Sequence, residues 1–196
     1  MILKPYPLSY KDQAISYLFK ETDIQFLILN SCWEIDEYHQ DNSSIHPDAL
    51  TQGLITSHKQ IKDLEMKGSS VLRLGVWHHP VTGNDKITDD AFMEQLRKAD
   101  VKMVMHGHVH EERAELLNYQ HSKAIHIAGT GSFGAPMGDR PEATPRMYNL
   151  VEVSRDHKTI TVNTRCRDKQ NGAWKGWNNW PSDDTKSGRS FYSIKF

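Results

Sequence analysis

Five of the chain's eleven histidines fall in two short clusters, His78–His79 and His106, His108 and His110. Neutral imidazole is the commonest protein ligand for zinc, manganese and iron. Histidines that converge from two segments are therefore a metal-site pattern. The first pair follows the apolar run Val71–Trp77 and precedes Pro80; the second group follows Lys102–Met105. His108 and His110 stand one residue apart. On extended backbone they share a side, and in a turn they reach two neighbouring metals. Gly107 before them permits a sharp turn or a close approach. The plain alternatives are a strand that simply ends at His78–His79, a solvated turn at His108–His110 and a packed His106. His39, His46, His58, His121 and His157 have no partner motif and read as surface. His126 lies inside a strand, in the core or on a cleft wall.

The elements that position these residues alternate along the first half of the chain. Residues 1–13 read as a loop and 14–20 as a short helix or strand. Phe26–Leu29 is a continuous apolar run of strand length, which suits a strand covered on both faces. Pro47 opens a helix whose apolar face is Leu50, Leu54, Ile61 and Leu64, with Gly68 as its stop. Val71–Trp77 predicts a buried strand. Thr88 reads as the N-cap of a second helix, with Asp89 and Asp90 in its first turn. Lys102–Met105 and Ala124–Ala128 are further strands, and Met147–Val153 with Thr159–Thr164 form a hairpin around Asp156–Lys158. This order predicts an α/β layered fold, with sheets inside and helices outside. Sites in such folds lie past the carboxyl ends of strands, where rigid strands hold loop side chains in place.

Composition excludes some functions and leaves others open. The 196 residues are 37% hydrophobic and 25% charged, enough for one domain and too apolar for a disordered chain. With 24 basic and 25 acidic side chains the net charge is −1, so no global field favours nucleic acid or a membrane surface. Cys32 and Cys166 form no CxxC pair and read as free thiols. No secretory pattern opens the sequence and no apolar run approaches the roughly 20 residues that span a bilayer. The expected location is cytoplasmic.

Gly75-Val-Trp-His-His-Pro80 resembles the fourth metal motif of the calcineurin-like metallophosphoesterases, and Gly107-His-Val-His110 matches their fifth, G-H-x-H. Phe26-Leu-Ile-Leu-Asn-Ser31 resembles the family strand that follows the third motif. The resemblance covers roughly residues 15–165. It implies a four-layer α/β/β/α sandwich with two divalent ions (manganese, iron or zinc) at the sheet edge, and hydrolysis of a phosphomonoester or phosphodiester. It also implies His78 and His108 as ligands of one metal and His110 as a ligand of the other. His79 and His106 then orient a ligand or touch phosphate. The family's earlier motifs, D-x-H, G-D-x-x-D and G-N-H-D/E, do not occur in this sequence; Asp36 precedes His39 by three residues, not two. The chain is therefore expected to be the C-terminal portion of such a domain (residues 1–165) with a Trp/Lys/Arg-containing extension (166–196). Its N-terminal strands would be missing, and alone it would be weakly active or inactive.

Several readings stay open. A partner chain, a longer parent protein or a second copy of this chain would supply the missing half. A non-catalytic binding or assembly module and a mononuclear metal-binding protein are the alternatives to a phosphoesterase. Gly131 and Ser132 either line the cleft beside the histidines or make a tight strand connection. At the start of the extension and within it, Arg165, Arg167, Lys169 and Lys175 interleave with Trp174, Trp177 and Trp180. That pattern suits phosphates and stacked nucleic-acid bases, or a tail that simply packs its tryptophans.

Overall fold

A computed structural model describes residues 9–83, 86–108, 113–118, 124–135, 144–169, 171–181 and 188–196. The chain divides into two compact units, residues 1–106 with 116–127 and residues 107–115 with 128–196.

After a single 3-10 turn, Tyr10–Asp12, the chain forms β1 (Ala14–Phe19), β2 (Ile24–Leu29), the helix α1 (Pro47–Met66) and β3 (Leu72–Val76). The helix α2 (Ala91–Lys98) and the strands β4 (Val101–His106), β5 (Arg113–Asn118) and β6 (Ala124–Gly129) follow. Six strands form one sheet in the order β1-β2-β3-β4-β6-β5. β1 and β2 are antiparallel, while β2, β3 and β4 run parallel. Parallel neighbours need a crossover, and α1 and α2 supply the two. The open reading at residues 14–20 resolves to a strand. β5 is a strand beyond those expected from the sequence.

α1 begins where the sequence predicts, with Pro47 in its first turn. Its N-cap is His46, whose ring nitrogen accepts from the Asp48 amide at 3.2 Å. His46 is thus a half-buried capping residue packed edge-on to Trp33, with ring centroids 4.7 Å apart, not a plain surface histidine. Gly68 stops the helix at φ 81°, the left-handed conformation that costs glycine least. α2 starts later than Thr88 predicts. Its N-cap is Asp90, and the Asp89 carboxylate accepts from the Ala91 amide at 3.0 Å.

β2 alternates between partly and fully buried positions and is not covered on both faces. Gln25, buried between Ile24 and the Phe26–Leu29 run, explains its place by bonding. Its Nε2 donates to the Ser57 carbonyl at 2.9 Å, and Ser57 Oγ donates back to Gln25 Oε1 at 2.5 Å. Arg73 of β3 donates to Ser57 Oγ at 2.8 Å and to the Ala99 carbonyl. The network ties α1 to β2 and β3 and satisfies polar groups that burial would otherwise penalise.

The core of the first unit contains Leu27, Leu50, Met93, Leu96, Val104 and Ile125. Gly75 pairs with Val104 across β3 and β4, and a Cβ there would lie 3.0 Å from Val104 Cγ1 and 3.1 Å from the Trp77 ring. Gly75→Ala is expected to cost about 1–3 kcal/mol through overpacking, read as a lower urea midpoint at unchanged m-value.

The second unit carries β7 (Arg146–Val153), β8 (Thr159–Arg167), β9 (Lys175–Gly176) and β10 (Phe191–Lys195). β7 and β8 form the antiparallel hairpin the sequence predicts, turning at His157, which takes a φ of 57°. β10 and β9 also pair with β8, so tail residues join that sheet. Met147, Ile160, Val162, Thr164 and Cys166, all 0% exposed, line one of its faces.

Candidate metal centre

Because β2, β3 and β4 run parallel, the segments that follow them lie along one edge of the sheet. The register pairs Ile28 with Val76. Three residues further on, Ser31 comes opposite His79. The pairing of β3 with β4 is extended by the Trp77 amide, which donates to the Met105 carbonyl at 3.2 Å. His78 and His79 therefore leave β3 beside the end of β2, and His108 stands two residues past β4.

His78 is exposed, His79 is buried at 5% and His108 is half-buried. Each offers one ring nitrogen, and the three nitrogens lie within 4.8 Å of one another. Two imidazoles held at about 2.0–2.1 Å from one ion stand at most about 4.2 Å apart. The three-nitrogen group stands close to that limit, and it contains no carboxylate. His110 lies outside the described residues. His106 is 3% exposed, the packed position its reading allowed.

The turn at the fifth motif is made differently from the expectation. His108 itself, not Gly107, takes the left-handed conformation, at φ 67°. A side chain in that region costs about 1–2 kcal/mol relative to ordinary backbone, and strain of this kind gathers at functional sites.

Ser31, 1% exposed, organises the β3 end. Its Oγ accepts from the backbone amides of His78 at 3.2 Å and His79 at 3.1 Å, and contacts His79 Nδ1 at 2.9 Å. Both lone pairs of the hydroxyl are then in use, so its proton goes to Nδ1. His79 is consequently the tautomer protonated at Nε2. The Cys32 thiol lies 4.0 Å from the same Nδ1. The hydrogen-bond pattern thus separates two adjacent histidines chemically. His79 presents an N–H donor, whereas the bond from Ser31 Oγ to His78 is to its main-chain amide. Sequence reasoning gave Ser31 no role. The signal was there in the parallel register, which needs the pairing of β2 with β3 to be seen.

The remaining predicted positions have local explanations. Gly131 is buried, and a Cβ there would come within 2.8 Å of Met147 Sδ. Ser132 Oγ accepts from the Ala135 amide at 2.7 Å, and its carbonyl accepts from the Met147 amide at 3.0 Å. Asp36 accepts from the Tyr38 and His39 amides and pairs with His39 Nδ1 at 2.9 Å, an exposed local turn. Those bonds, the Tyr38 amide first, hold its carboxyl below the usual range. Cys32 is exposed and Cys166 buried, and neither is in a disulfide.

His126 on β6 is half-buried, and desolvation lowers its pKa. Folding then favours the neutral ring, and the unfolded chain binds the proton more readily. Stability is full above the unfolded value near 6.5 and is lost as pH falls through the lower folded value. Thermal midpoints are expected to drop between about pH 7 and pH 5, and less so in His126→Gln.

Solved structures fix what fold this is. Purple acid phosphatase PPD1 from yellow lupin seeds aligns with 100% of the chain at a TM-score of 0.55 and 12% identity. The chain has the metallophosphoesterase fold. It spans about a third, 34%, of the lupin enzyme. Weaker likenesses are Vps29 of Cryptosporidium parvum (TM-score 0.34, 13% identity, 87% of this chain and 97% of that one) and zinc-complexed Vps29 of Entamoeba histolytica (TM-score 0.31, 11% identity, 87% and 98%). No protein-family model and no curated protein matches the sequence. Among the described residues no helix is long and apolar enough to cross a membrane.

Proposed function

We propose that this chain carries the histidine side of a divalent-metal phosphoesterase site, with His78 and His108 as ligands. The convergence of the two histidine-bearing segments, with ring nitrogens within 4.8 Å, carries the reading. The G-H-x-H resemblance adds His110, toward a second ion. A bound divalent ion supplies Lewis-acid polarisation of a phosphoryl oxygen and a water acidified toward neutral pH. The chain's own contribution is positional. Ser31 holds the His78 and His79 main chain in place and keeps the His79 proton at Nε2. From there His79 donates a hydrogen bond to a phosphoryl oxygen and remains outside the ligand set. His106 is buried at the end of β4.

The histidines alone bring no negative charge to offset two cations. Carboxylate ligands come, in this proposal, from another segment: a longer parent chain, a partner chain or a second copy. The all-imidazole group also favours a second reading, a module that binds metal or partners without turnover.

Hydrolysis of an aryl phosphodiester during titration with manganese, iron(II) or zinc separates the two. The chain alone is expected to bind metal and to turn over close to the uncatalysed background. A phosphoesterase role is supported if carboxylate-bearing segments raise that rate. Metal binding with no turnover under any such condition favours the module. Failure to bind any of the three metals would sink the phosphoesterase reading and leave a module that binds partners without metal.

A further inference from the structure

The sheet of the second unit has two unlike faces. One holds the buried residues named above. On the other, β7 and β8 set Arg146 directly opposite Arg167 and Tyr148 opposite Arg165. Like charges placed directly across a strand pair repel, and among the described residues no carboxylate pairs with any of these arginines. Asp168, the nearest acid in sequence, is taken by Lys175 at 2.5 Å. Arg165 donates to the Trp174 carbonyl at 3.2 Å. The Arg167 guanidinium lies 4.9 Å from the centre of the Trp174 ring, and its buried Nε has no hydrogen-bond partner.

The aromatic rings continue outward from this arginine group. Trp174 stacks on Phe133 with centroids 5.3 Å apart and planes 10° from parallel, and Tyr148 meets Trp174 edge-on at 4.7 Å. Phe133 is 60% exposed, so the stack ends in solvent on a ring that a further planar group can extend. Arg189 repeats the combination over Phe191, at 5.3 Å from its ring. Phe191 pairs with Asn163, four residues back along β8 from Arg167, a separation of about 13 Å.

We propose that this face binds single-stranded nucleic acid, with bases stacking on Phe133 and Phe191 and phosphates meeting Arg146, Arg165 and Arg167. Rings offer every base a stacking surface, and guanidiniums without a carboxylate partner follow a phosphate backbone, which gives affinity tolerant of sequence. In a duplex the base faces are already stacked, so the exposed rings favour a single strand. An acidic peptide would satisfy the arginines and leave the rings unused. The inference is independent of the histidine site.

Fluorescence anisotropy of labelled oligothymidylate and oligoadenylate against the whole chain tests it, with unlabelled duplex, heparin and polyglutamate as competitors. Both oligonucleotides are expected to bind at low salt, and unlabelled single strand should compete best. Phe133→Ala should weaken binding about tenfold. Arg167→Gln should flatten the salt dependence by about 0.7 in slope, one lost phosphate contact, while Arg167→Lys retains it. The exposed Phe133 makes an unchanged melting midpoint the expected control. No binding at low salt, an unaffected Phe133→Ala variant, or competition by duplex, heparin or polyglutamate equal to that of single strand would each overturn the proposal.

Discussion

Ser31→Ala is expected to destabilise the protein by about 2–4 kcal/mol and to free His79 from a single tautomer. The estimate follows from the three contacts its hydroxyl makes. Two backbone amides lose their acceptor, and that of His79 belongs to a residue only 5% exposed. Each buried unsatisfied group costs about 1–3 kcal/mol. The His78 amide, on an exposed residue, recovers part of its loss from water. The tautomer effect separates this role from a merely structural one. Nitrogen-15 NMR at a pH where imidazole is neutral is expected to show wild-type His79 with an unprotonated Nδ1 and a protonated Nε2. Ser31→Ala should give a mixture, and Ser31→Thr, which retains the hydroxyl, should restore the wild-type pattern. An Nδ1-protonated His79 in the wild type would refute the assignment.

Changes at His108 are expected to move metal affinity and apo stability in opposite directions. Loss of a residue that only hydrogen-bonds and orients a ligand already costs a metal site about 10–100-fold. Loss of a ligand should therefore cost about 100-fold or more. His108 also holds the left-handed conformation at φ 67°, which glycine adopts without the Cβ penalty. His108→Gly is expected to bind zinc about 100-fold more weakly while the metal-free chain gains about 1 kcal/mol in urea unfolding. His108→Ala should lose the affinity without the gain. Isothermal titration and unfolding curves on the same preparations read both quantities. If stability and affinity fall together in His108→Gly, the strain does not serve the site.

Local patterns made much of the fold legible. The 3.6-residue spacing of Leu50, Leu54, Ile61 and Leu64 gave α1, and Pro47 and Gly68 its ends. Alternation gave β7 and β8. Residue chemistry gave His78, His79 and His108, which the parallel order of β3 and β4 makes intelligible. Pairing relations were not legible. Gln25 resembles an intruder in an apolar run until Ser57, 32 residues away, supplies its partners. Ser31 is one serine among many until the register sets it against His79. At Gly107 the residue type was informative about the turn but not about which residue would bear the strain. Histidine also visits the left-handed region more readily than most side chains. His46 failed as a surface residue because capping depends on the helix it begins. Trp174 and Phe133 stack from segments 41 positions apart in the sequence, a contact no periodicity encodes.

The two adjacent histidines give the sharpest test of the metal site. The measurement is bound zinc and manganese per chain by elemental analysis after loading and dialysis, in wild type, His78→Ala, His79→Ala and His108→Ala. The expected result is at least one equivalent in wild type, lost in His78→Ala and His108→Ala and largely kept in His79→Ala. Loss in His79→Ala equal to that in His78→Ala, or no metal retained by the wild type, would contradict the account.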